Sequence, residues 1–183
     1  MSYINVEIKA RTIRAAAIRE YLLEHGAEFK GKDLQTDTYF RVERGRLKLR
    51  SGQVENNLIH YFRPDKEGPK ESVFTLVAIH DSEAMKQLLT DALGVLVEVK
   101  KEREIYYIDN VKFHLDTLGS LGNFVEIEAG NKIRPLSLEL LHEQCNHYKA
   151  AFEIADGDLV NVSYSDMLLT NSHGSLQQKK SSQ

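Results

Sequence analysis

Arg46-Leu47-Lys48-Leu49-Arg50 alternates charge with leucine at every step. A period of two describes an extended strand whose two faces differ, because successive side chains point to opposite sides of a pleated backbone. The same period runs through residues 3–11: Ile4, Val6, Ile8 and Ala10 share one face, and Asn5, Glu7, Lys9 and Arg11 share the other. Further strands are predicted over 27–42, 45–51, 57–63, 71–79, 95–108, 111–117 and 123–129. Gly45, Gly52 and Gly68-Pro69 supply turns between them, and Asp109-Asn110 a tight hairpin.

Helical periodicity interrupts this pattern three times. Ala16, Ile18, Leu22 and Leu23 make a stripe within 12–25, with Gly26 as the stop. Asp81 or Ser82 can cap a second helix that runs to Leu93 before Gly94. A third is expected from Pro135 to Phe152, with Leu136, Leu138, Leu140, Leu141 and Tyr148 on its apolar face. About eight strands and three appended helices predict an α+β fold around an antiparallel sheet, and closing the sheet into a barrel is one way to remove its edges. Without repeats or inner linkers, residues 1–169 are expected to form one domain. Residues 170–183, rich in Ser, Gln and Lys, are expected to form a disordered tail.

Composition narrows the partners. The formal net charge of −3 does not suit a protein that coats nucleic acid or an anionic membrane, so any phosphate binding must come from a local concentration of basic groups. A single cysteine, Cys145, rules out an intrachain disulfide. The N-terminus lacks the basic-then-apolar pattern of a signal peptide, and no apolar run is long enough to span a bilayer, so a cytoplasmic location is expected.

The polar strand faces are segregated by sign. Residues 46–50 are purely basic, Lys101 and Arg103 share a face, Arg63 ends the segment from Ile59 to Phe62, and Glu126 and Glu128 share an acidic face. His114 and Asp116 alternate with Phe113 and Leu115. A water-facing sheet surface explains any one of these strands. Like charges in register repel, however, and call for counter-charge from facing carboxylates or a bound polyanion. Arg and Lys recognise phosphate oxygens, and paired carboxylates hold hard divalent ions, so the set is equally consistent with a triphosphate–metal site. The six histidines other than His114 show no metal-ligand spacing among themselves.

Asn5-Val6-Glu7-Ile8-Lys9 resembles the ExExK signature of the CYTH family, also called the triphosphate tunnel metalloenzymes. The similarity continues in order through residues 46–50, Arg63, Lys101-Glu102-Arg103, Phe113-His114-Leu115-Asp116, residues 121–128 and Ser163-Tyr164. The last segments are most similar to the class IV adenylyl cyclase branch. The resemblance implies a closed eight-stranded antiparallel tunnel with helices packed outside. It implies Glu7, Glu126 and Glu128 as ligands for Mg²⁺ or Mn²⁺. Lys9, Arg46, Lys48, Arg50, Arg63, Lys101 and Arg103 would hold phosphates, and Lys9, Lys101, Arg103 and Asp116 would serve catalysis. Asn5 stands where the signature has its first Glu and brings no charge, which weakens one metal position. Triphosphate hydrolysis is the expected reaction. A class IV-type cyclase making cyclic AMP and pyrophosphate is one alternative, and a non-catalytic nucleotide or polyphosphate binder is another. Pairing into a homodimer is compatible with this family.

Overall fold

The computed structural model describes residues 3–62 and 70–171. Eight strands are present: β1 (Tyr3–Arg11), β2 (Glu28–Phe40), β3 (Arg46–Ser51), β4 (Asn57–Phe62), β5 (Lys70–Ala78), β6 (Val95–Ile108), β7 (Val111–Leu118) and β8 (Gly122–Gly130). They close in the order β1-β5-β4-β3-β2-β6-β7-β8, with β8 paired back onto β1 and every neighbouring pair antiparallel. Closure leaves no strand edge unpaired, which is how this sheet avoids edge-to-edge association.

Helices α1 (Ala15–Glu24), α2 (Ser82–Leu93) and α3 (Leu138–Ala151) follow the predicted periodicity; α1 and α3 are each three residues shorter at the start and one at the end, and α2 has the expected bounds. Gly26 takes φ 75 after α1, a conformation that costs glycine nothing. Asp81 caps α2 by accepting from the Ala84 amide at 2.9 Å, and Asp109 turns the β6–β7 hairpin at φ 51. A further helix, α4, covers residues 164–171 and was not anticipated, because only two turns carry its apolar pattern. It places Thr170 and Asn171 in ordered structure, in contrast to the expected start of the tail; residues 172–183 of that expectation lie outside the described residues.

The strand pattern resolves into an inside and an outside. Val6, Ile8 and Ala10 of β1, Phe113 and Leu115 of β7, and Val125, Ile127 and Ala129 of β8 pack outward against Ile18 and Leu22 of α1 and Leu141 and Cys145 of α3. On the far side, Leu89 of α2 packs on Phe40 and Leu49. Hydrophobic burial therefore holds helices onto the outer wall and leaves the charged alternate positions facing inward.

Candidate active site

The inward positions line a cavity of about 270 Å³. Strand β1 contributes Asn5, Glu7 and Lys9; β8 contributes Glu126 and Glu128; β6 contributes Lys101 and Arg103; and β3 contributes Lys48 and Arg50. Two carboxylates organise most of this charge.

The first is Asp116, which is 2% exposed. Arg103 donates to it from Nε at 2.6 Å and again from Nη2, and Tyr164 of α4 donates its hydroxyl to Oδ2 at 2.8 Å. Arg103 Nη2 also reaches Glu126 Oε2 at 2.7 Å, and Lys9 Nζ lies 2.9 Å from Glu126 Oε1. The Tyr164 ring covers the Lys9 ammonium, 3.7 Å from Nζ to its centroid. Burial works against ionising Glu126, yet Lys9, Arg103 and His114 together hold it well below the ordinary carboxylate range.

The second is Asp37, also 2% exposed. Arg50 grips it through Nε and Nη2 at 2.9 and 3.0 Å, Lys101 at 2.7 Å and Lys48 at 3.2 Å. One carboxylate thus gathers three cations from two strands. Burial pushes Lys101 down to about 7, helped by Arg103, Arg50 and Lys48 and opposed by Asp37. This lysine titrates where cells work, and a polyanion beside it would return its proton.

Glu7 and Glu128 are register partners on β1 and β8, and Glu126 sits next along the same face. Burial and the neighbouring charges of Glu126 and Glu7 raise Glu128 above its ordinary value despite Lys112. Oxygens of carboxylates clustered in this way suit a hard divalent ion. His114 joins the group: its ring nitrogen and one oxygen each of Glu126 and Glu128 all lie within 4.8 Å of one another. Burial, Arg103 and Lys112 lower His114 to about 3, so the ring is neutral. Its Nδ1–H then donates to Glu126 Oε2 at 3.1 Å, while Nε2 faces Arg103 Nη1 at 3.5 Å. In this arrangement His114 orients Glu126.

Of the sequence-predicted residues, Lys9, Lys48, Arg50, Lys101, Arg103, Glu7, Glu126 and Glu128 meet in one cavity. Asp116 stands behind Arg103. Arg46 lies at the end next to α4, its Nη1 2.9 Å from both Ser163 Oγ and Asp166 Oδ2. Arg63 lies outside the described residues. Sequence reasoning missed Asp37, Glu55 and Lys112. Asp37 could have been found, since Gln35, Asp37 and Tyr39 alternate on one face of β2. Glu55 sits in the β3–β4 turn and has no periodic signal, yet it pairs with Arg50 at 2.9 Å and Lys112 at 2.5 Å. Among the described residues, no helix is long and apolar enough to cross a membrane.

A closed antiparallel tunnel with ionic groups inside and helices outside defines a charge-lined β-tunnel protein. The CYTH domain model matches residues 3–153, and the chain belongs to that family. Solved structures share the fold. The PH1012 protein of Pyrococcus horikoshii OT3 has a TM-score of 0.73 at 22% identity, over 88% of this chain and 98% of that one. A protein from Vibrio parahaemolyticus, described as a candidate adenylate cyclase, has a TM-score of 0.69 at 20% identity, over 90% and 97%. The Hippeastrum protein HpAC1, a candidate adenylyl cyclase described as having a dominant triphosphatase activity, has a TM-score of 0.62 at 13% identity, over 93% and 96%. No curated protein matches the chain significantly in sequence.

Proposed function

We propose that this protein is a metal-dependent enzyme that binds a triphosphate in its tunnel and hydrolyses it. The observation that carries this reading is the convergence of Lys9, Lys48, Arg50, Lys101 and Arg103 with Glu7, Glu126 and Glu128 on one cavity. A triphosphate needs several cations held in fixed places, and phosphoryl transfer is accelerated mainly by such positioning and charge neutralisation. Arg50 and Arg103 are held in place by Asp37 and Asp116, so their positive charge is fixed on the cavity wall before a phosphate arrives. Lys101, with a pKa of about 7, can give a proton to the leaving phosphate oxygen as water adds to the terminal phosphorus. Glu7, Glu126 and Glu128 would hold Mg²⁺ or Mn²⁺, which supplies further neutralisation of the phosphate oxygens.

The dominant triphosphatase activity ascribed to the Hippeastrum relative supports hydrolysis ahead of cyclisation. Phosphorus NMR with Mg²⁺ or Mn²⁺ and either ATP or tripolyphosphate tests the choice. Orthophosphate release establishes a triphosphatase, whereas cyclic AMP with pyrophosphate establishes a cyclase. Line broadening without turnover marks a binder and sinks the catalytic reading.

A further inference from the structure

Lys112 of β7 stands opposite Glu128 of β8 as its register partner, and both side chains face the cavity. Unlike charges directly opposed on antiparallel strands are close enough to pair, and a lysine across from a glutamate ordinarily does so. Among the described residues, however, the ion pair of Lys112 is with Glu55, 2.5 Å from Nζ to Oε1, and not with Glu128. Glu55 belongs to the β3–β4 turn and is held there from three sides. Its amide donates to the fully buried Asp33 at 3.1 Å, Gln35 Nε2 lies 3.2 Å from its Oε2, and Arg50 Nη1 lies 2.9 Å from that same oxygen. The carboxylate is fixed, and the flexible lysine stem comes to it.

Resting on the divalent-ion reading above, we propose that Glu55 is a positioning residue: it draws the Lys112 ammonium off Glu128 and so keeps the Glu128 oxygens available to Mg²⁺ or Mn²⁺. An ammonium seated on Glu128 would take oxygens that the ion needs. It would also add a like charge beside the ion, at a depth where little water screens either. Without Glu55, Lys112 keeps a mostly buried charge that needs another anion, and Glu128 is the one directly across. Glu55 thus acts on the ion through Lys112 alone.

The test is titration of Mn²⁺ into the full chain without nucleotide, with free Mn²⁺ read by electron paramagnetic resonance. Glu55→Gln keeps the shape of the side chain and should weaken Mn²⁺ about tenfold, the usual size of an effect carried through a neighbouring residue. Lys112→Met should bind Mn²⁺ at least as tightly as wild type. The two changes together should match Lys112→Met, since without the ammonium there is nothing left to divert. A role of Glu55 in shaping the turn would persist in the Lys112→Met background. Weakening of Mn²⁺ there therefore overturns the proposal, as does wild-type affinity in Glu55→Gln. If circular dichroism shows Glu55→Gln unfolded at the assay temperature, Glu55→Asp takes its place. Its carboxylate stops one carbon short of Lys112, and it should weaken Mn²⁺ with Lys112 present and not in the Lys112→Met background; any other pattern overturns the proposal. Failure of the wild type to bind Mn²⁺ overturns the divalent-ion reading, and this inference with it.

Discussion

Arg103 and Asp116 face each other as register partners on β6 and β7, joined through two parallel hydrogen bonds at a depth where both are 2% exposed. Burying such a pair costs solvation that good geometry only repays, while removing one member strands the other. Asp116→Ala should therefore lower stability by about 3 kcal/mol in chemical denaturation. Asp116→Asn keeps the shape and one acceptor. It should unfold closer to wild type, yet lose the charge that fixes the guanidinium and cut kcat at least tenfold.

Glu128 lets stability and the proposed metal binding be read apart. Its carboxyl is raised, so between the ordinary glutamate value of 4.5 and its folded pKa the unfolded chain releases a proton that the fold retains, and stability falls as pH rises through that window. Glu128→Gln should raise the melting temperature of the metal-free protein at neutral pH. The same change should weaken Mn²⁺ binding about tenfold, read by electron paramagnetic resonance of free Mn²⁺. A variant that loses both properties argues against mutual repulsion among these carboxylates.

Lys101 predicts a proton balance. Its pKa lies near 7 instead of the ordinary 10.5, so at pH 7.5 much of the population is neutral. A bound polyphosphate restores the charge, and binding at that pH should take up a proton, seen as a buffer-dependent calorimetric enthalpy. Affinity should fall as pH rises above about 7, and Lys101→Met should abolish the uptake. For the ligand-free fold the sign is reversed. The unfolded chain holds more protons between about 7 and 10.5, so stability attributable to Lys101 rises across that window.

Gly52 shows how the β3–β4 turn is pinned. Asp33 accepts from the backbone amides of Gln53 at 2.6 Å and Glu55 at 3.1 Å, and a Cβ on Gly52 would lie 2.7 Å from Asp33 Oδ1. Gly52→Ala must push that carboxylate aside and should cost about 2 kcal/mol in thermal denaturation. Since the turn carries Glu55, Lys112 and Arg50 should lose their shared partner as well. A neutral outcome would show that the turn can shift without releasing Asp33.

The sequence made the fold legible wherever the alternation was strict. Val6-Glu7-Ile8-Lys9 and residues 46–50 declare their two faces, and the sign segregation of the charges points to an ionic interior. What alternation does not tell is which face looks inward, and Ile59, Tyr61, Phe74 and Leu76 show why. They are apolar yet line the cavity, while their neighbours His60 and Thr75 point away. Residues whose role depends on contacts distant along the chain were also out of reach. Tyr164 meets Asp116 across 48 positions, and Lys112 meets Glu55 across 57. Helix α4 is too short to stand out as a periodic segment before its tertiary partners are known.

The outward packing of β1, β7 and β8 gives each strand two separate inheritances. Odd positions of β1 line the cavity, and even positions carry the hydrophobic grip on α1 and α3. An inward position outside the buried ion pairs, such as Asn5, can thus be changed while the hydrophobic grip on α1 and α3 is kept. A single-residue insertion within such a strand would exchange the two sets and destroy both.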